Sequence, residues 1–192
     1  MILASKSPRR KEILEEFGFK FKIEAKETLE ESKKENPKDF VMEIALEKAM
    51  VVAEDNYEEW IVAADTVVVY NNKILGKPKN EEEAKEVLKS LSSHSHEVYT
   101  GVAIVNKQKN ISLTFTELTK VYFKNISDQE INWYVETKEP LDKAGSYGIQ
   151  GKGSILIEKI EGDFYNVMGF PISKFYEEIK KLGFKLKEID KY

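Results

Sequence analysis

Near the start of the chain, Ser5-Lys6-Ser7-Pro8-Arg9-Arg10 gathers the groups that hold an anion. Serine at an N-cap with proline at the first helical position opens a helix. A strand ending there presents free N–H groups and the positive end of the helix dipole. With a hydroxyl and two guanidinium forks added, the segment makes a phosphate cradle. The same residues also describe an ordinary capped helix with solvated basic side chains, and spacing does not choose between the two. Composition favours the cradle: all but two of the 30 basic residues are lysines, and the two arginines are neighbours, Arg9 and Arg10. A planar guanidinium fits phosphate or carboxylate oxygens in a way an ammonium cannot copy.

Asp65 lies in Ala63-Ala64-Asp65-Thr66-Val67, an otherwise apolar run. A carboxylate there is costly to bury unless it is paired, hydrogen-bonded or bound to metal. It is therefore read as a cation ligand or a proton acceptor for water, in preference to the exposed end of a strand. Gly76-Lys77-Pro78 projects one lysine from a turn and by itself marks only surface. Gly148-Ile149-Gln150-Gly151-Lys152-Gly153 is not a Walker A loop, because Gly145 stands one residue too far upstream and Gly153 replaces the required Ser or Thr. Glycines out of that register mark a hairpin or a close backbone approach. His94 and His96 lack a third ligand, which fits structural or surface roles better than a metal site. Glu27, Glu30 and Glu31 form a mostly solvated acidic loop, of which one member can reach a cation. No serine triad and no aromatic–basic interleaving for single-stranded nucleic acid is present.

The elements that must position these residues follow from the hydrophobic spacing. Ile2 to Ser5 reads as a short strand, and the helix after Pro8 buries Ile13, Leu14 and Phe17 before Gly18 ends it. Pro37 opens a second helix with Val41, Ile44, Ala45, Ala49 and Val52 in helical register. Trp60 to Tyr70 is a strand buried on both faces, and Asn71-Asn72 turns it into Ile74-Leu75. A capped helix follows Asn80, paired strands span Val98–Val105 and Ser112–Phe123, and Ser127 with Glu130 forms a capping box. Six of the ten glycines fall between Gly145 and Gly169, around a strand at Ile155–Ile160, and an amphipathic helix covers Ile172–Leu182. The expected fold class is α/β, with a mixed twisted sheet flanked by helices.

Composition narrows the function classes. At 192 residues and 41% hydrophobic content the chain is long enough for one domain, 1–192, with a sizeable core. Its apolar runs are too short to span a bilayer, and the N-terminus is the reverse of a secretory signal, so a soluble cytoplasmic protein is expected. Zero cysteines exclude a disulfide scaffold, a thiolate zinc site and a cysteine nucleophile. A formal charge of −4 argues against broad nucleic-acid binding, so an anionic ligand must meet a local positive pocket.

Seven segments in order, Ser5–Arg10, Leu46–Ala49, Ala63–Val68, Gly76–Pro78, Ser95–Val102, Asp142–Gly153 and Gly162–Pro171, resemble the Maf-type nucleoside triphosphate pyrophosphatases over essentially the whole chain. The resemblance implies the α/β fold of the inosine triphosphate pyrophosphatases, two lobes around a cleft, and often a homodimer. It implies hydrolysis of a nucleoside triphosphate to the monophosphate and pyrophosphate with Mg2+ or Mn2+. On the matching positions it implies that Ser5, Arg9 and Arg10 bind substrate phosphates, that Lys48 and Lys77 add positive charge, and that Asp65 accepts the proton. It also implies a glutamate from the acidic loop, for which Glu30 fits best and Glu27 and Glu31 are the alternatives, with Glu30 and Asp65 as the metal ligands. Arg9, Thr66 and Gln150 match the branch acting on dTTP and UTP. The competing readings are a pyrophosphatase for a purine or modified nucleotide and a non-catalytic nucleotide-binding regulator of cell division.

Overall fold

Seven strands follow the order β2-β1-β3-β5-β6-β7, with β4 beside β3, in a computed structural model that describes residues 1–185. The strands are β1 (Ile2–Leu3), β2 (Lys22–Ile23), β3 (Ile61–Tyr70), β4 (Lys73–Leu75), β5 (Ser95–Asn106), β6 (Ile111–Phe123) and β7 (Ile157–Glu161). Among the described residues six helices accompany them: α1 (Pro8–Glu16), α2 (Pro37–Ala53), α3 (Glu81–Leu91), α4 (Asp128–Glu136), α5 (Phe164–Met168) and α6 (Ile172–Lys181). β1 is parallel to both β2 and β3, whereas β4 on β3 and β7 on β6 are antiparallel, so the sheet is mixed, as expected. The chain divides into two compact units. Met1–Asp65, Thr100–Glu117 and the described residues from Gly169 on form the first, and Thr66–Tyr99 with Leu118–Met168 form the second. The expected domain runs to Tyr192, and residues 186–192 of it lie outside the described residues.

In the first unit the expected stripe of α2, Val41, Ile44, Ala45, Ala49 and Val52, is fully buried. Its small members pack with Ala4 just past β1 and with Ala63 and Ala103 of the strands, which lets helix and sheet approach closely. The approach is tightest at Gly101 of β5, where a Cβ would stand 2.3 Å from the Val41 carbonyl oxygen. Only glycine fits against that backbone. α1 buries Ile13 and Leu14 as expected, but Phe17 is 44% exposed. The helix ends in a Schellman motif: Phe19 N–H donates to Leu14 O, Gly18 N–H donates to Glu15 O, and Gly18 has φ +81°. That turn swings Phe19 inward in place of Phe17, edge-on to Phe175 at 5.4 Å between ring centroids.

In the second unit, Asn71 and Asn72 both take positive φ, the backbone of a tight hairpin, and pair β3 with β4. Ser127 and Glu130 make the expected capping box of α4. α3 and α4 supply Leu88, Leu91, Ile131 and Tyr134 to a core with Val98, Val121, Phe123, Tyr147 and Leu156. The strand expected at Ile155–Ile160 starts later, at Ile157. A 3₁₀ turn over Gly151–Leu156 delays it, and Ile155 is left 47% exposed.

Candidate active site

The first unit brings the charged residues together from four elements. Ser5 lies two residues past the end of β1, and Pro8 starts α1 with Ser7 at the N-cap. The Ser7 hydroxyl makes no capping bond; instead Ser5 Oγ accepts the Ser7 N–H at 3.2 Å. The same oxygen accepts from Arg10 Nη1 at 3.0 Å, while Arg10 Nε donates to the Gly169 carbonyl at 3.0 Å. Two bonds from different edges fix the plane of the guanidinium, a geometry that lysine cannot reproduce. The Gly169 acceptor was invisible in the sequence, since a backbone carbonyl carries no side-chain signature. Burial lowers the proton affinity of Arg10; Asp65 and Glu30 work against it and Arg9 adds to it, so all four charges act on one locality.

Lys48 lies in α2, one residue before the buried Ala49. Its ammonium donates to Asp65 Oδ1 at 2.8 Å and pairs with Glu30 Oε1 at 2.9 Å. The Lys48 and Asp65 side chains are only 14% and 13% exposed, whereas Glu30 is 58% exposed. Removing one partner of a well-buried pair costs about 3–5 kcal/mol, and an exposed pair contributes at most about 1 kcal/mol. Asp65 therefore anchors the ammonium and Glu30 meets it from the solvent side. Of the three acidic-loop candidates, Glu30 is the one that reaches Lys48. It does so from a left-handed backbone, φ +52°, a conformation that is strained for a glutamate and typical of functional loops.

The remaining candidates belong to the second unit. Thr66 follows Asp65 along β3 and is half-buried. Lys77 is exposed on a loop whose Gly76 carbonyl accepts from Gly145 N–H at 3.2 Å, so the lysine turn is tied to the glycine-rich segment. Gln150 is exposed in that segment between the buried Ile149 and Gly151, which has φ +71°. His96 is buried, with Nε2 2.7 Å from Tyr147 Oη, and burial pulls it down to about 4. It is a neutral core histidine, as the structural reading expected.

Among the described residues no three His, Cys, Asp or Glu side chains gather as a ready metal cage. The donor set still suits a hard cation: Mg2+ commonly takes one or two carboxylates and completes its shell with substrate phosphates and water. Asp65 and Glu30, both on Lys48 Nζ, bring two carboxylates to one place.

Residues 1–182 match the model of a family described as Maf-like protein. A protein of Bacillus cereus (strain G9842) named dTTP/UTP pyrophosphatase is 53% identical over 184 residues, 94% of each chain. One of Fusobacterium nucleatum with the same name is 50% identical over 191 residues, covering 100% of each. Among solved structures, the Staphylococcus aureus Ham1 protein is 12% identical with a TM-score of 0.48, covering 81% of this chain and 78% of that one, a likeness too distant to add to the reading.

Proposed function

The chain belongs to the Maf-like family, and from that premise we propose that it hydrolyses nucleoside triphosphates, dTTP and UTP above all, to the monophosphate and pyrophosphate. The observation that carries the mechanism is the Lys48 ammonium held between Asp65 and Glu30 beside the Ser5–Arg10 station. Water attacks the α-phosphorus and pyrophosphate leaves, a reaction that rests on positioning and charge stabilisation more than on covalent work by the protein. Arg9, Arg10 and Ser5 bind the phosphates, and Lys48 and Lys77 offset further charge. Asp65 receives the proton from water. Its Oδ1 accepts from the Lys48 ammonium. Phosphate oxygens compete for that ammonium, so arrival of substrate releases the carboxylate to act as base. Asp65 and Glu30 would hold a Mg2+ or Mn2+ ion, whose chemistry is to acidify water and neutralise the leaving group.

Arg9, Thr66 and Gln150 are the specificity residues in this reading. A glutamine amide sets a donor beside an acceptor, complementary to the N3–H and O4 of uracil or thymine. The substrate is a free nucleotide, which suits a cytoplasmic setting, and no helix among the described residues is long and apolar enough to cross a membrane. The homodimer implied by the family resemblance is checked by sedimentation.

A panel of triphosphates with Mg2+ in 18O-labelled water tests the whole reading. Monophosphate carrying the label, with unlabelled pyrophosphate, is expected for dTTP and UTP. Release of orthophosphate and a diphosphate, or label in the pyrophosphate, would overturn it.

A further inference from the structure

The glycine-rich segment is held by one carboxylate outside it. Glu139 lies in a 3₁₀ turn, Glu139–Asp142, just after α4. Its Oε1 accepts from Tyr134 Oη at 2.9 Å and from Gly153 N–H at 3.1 Å, and its Oε2 accepts from Lys152 N–H at 3.1 Å. Tyr134 Oη in turn accepts from Gly148 N–H at 3.1 Å. Bonds therefore reach the backbone two residues before Gln150 and two and three residues after it. The two arms are in close contact: a Cβ at Gly153 would stand 2.4 Å from Gly148 O and 2.6 Å from Tyr134 Oη. Buried Ile149 anchors one side of Gln150, and Gly151 turns the chain on the other. Gln150 is exposed between these flanks, next to the exposed Gly151 and Lys152.

Three donors converge on Glu139, and a carboxylate is the side chain that offers acceptors only. A glutamine there would turn its NH₂ toward an N–H. Tyr134 is suited to link the two, since burial first, and then the nearby Glu139 charge, raise its phenol far above the usual range and keep its proton available to donate.

We propose that Glu139, acting through Tyr134 and the Gly148–Gly153 backbone, is a positioning residue for base selectivity: it sets the direction in which Gln150 presents its amide to the nucleotide base. This rests on the reading of Gln150 as the base-reading residue. A misplacement of about 1 Å at a reacting or recognition group can cost about a hundredfold, so loosening the clamp erodes discrimination without touching the phosphate chemistry.

The test compares kcat/KM for UTP and CTP, together with inhibition by inorganic pyrophosphate, in Glu139→Gln, Gln150→Ala and the double variant. Glu139→Gln is expected to lower the UTP:CTP ratio by roughly ten- to a hundredfold, mostly through KM for UTP, with pyrophosphate inhibition unchanged. The double variant is expected to discriminate no worse than Gln150→Ala. If Gln150→Ala collapses the ratio while Glu139→Gln lowers both substrates equally, Glu139 is only a structural support and the proposal fails while the role of Gln150 stands. If Gln150→Ala leaves the ratio intact, the base-reading role falls and the positioning role with it. Should Glu139→Gln not fold, Tyr134→Phe, which strips only the linking hydroxyl, answers to the same ratio.

Discussion

Lys48 and Asp65 stand on regular elements and hold each other by charge, whereas Gln150 stands on irregular chain whose backbone is held by Glu139 and Tyr134. Each arrangement uses a half-buried carboxylate, to opposite ends. Asp65 engages an ammonium that a phosphate can draw away; Glu139 engages backbone N–H groups that nothing in the reaction displaces. The contrast follows from what each must recognise. In the proposed function a triphosphate is met by positive charge that its phosphates can draw on, and a neutral base edge by fixed direction.

The largest effect separating the two arrangements is expected from Asp65→Asn. The amide oxygen still accepts from Lys48, so fold and nucleotide binding persist, while turnover falls ~10²–10⁴-fold. Calorimetric nucleotide binding alongside steady-state rates reads both, and wild-type-like turnover would remove Asp65 from the role of base. Next is an acid sensitivity confined to the second unit. His96 is pulled down to about 4 by burial, so the unfolded chain binds the extra proton between about pH 6.5 and 4. Stability is thus full above pH 6.5 and declines as pH falls through that window, by up to about 3 kcal/mol. Urea titrations from pH 7 to 4.5 should show the slope in wild type and lose it in His96→Phe; a slope that survives the substitution assigns it elsewhere.

Gly101→Ala perturbs the seat of the charged residues without touching them. The added methyl is expected to cost about 1–3 kcal/mol and to lower turnover by shifting the helix that carries Lys48. Thermal unfolding unchanged from wild type would show that α2 yields freely. The smallest effect is a difference: Gln150→Glu should weaken use of dTTP and UTP roughly tenfold more than it weakens inhibition by inorganic pyrophosphate. Equal losses on both would count against contact with the base.

Local chemistry was legible from the start. The α2 stripe, the Asn71-Asn72 turn and the Ser127–Glu130 box each depend on a few neighbouring residues, and each appears as read. Phe17 and Ile155 were misread because their fate depends on backbone turns, the Schellman motif and a 3₁₀ segment, that change direction without changing hydrophobic spacing. Asp65 stood out because a charge inside an apolar strand is conspicuous. Glu139 did not, because a glutamate in a polar stretch looks like surface until three donors are seen to converge on it.

At Gly101 the α2 main chain rests on bare sheet. Main-chain atoms cannot be exchanged by mutation as side chains can, so the station of Lys48 is insulated from most drift in the surrounding core. In the seam between α2 and β5, one additional carbon is already too many.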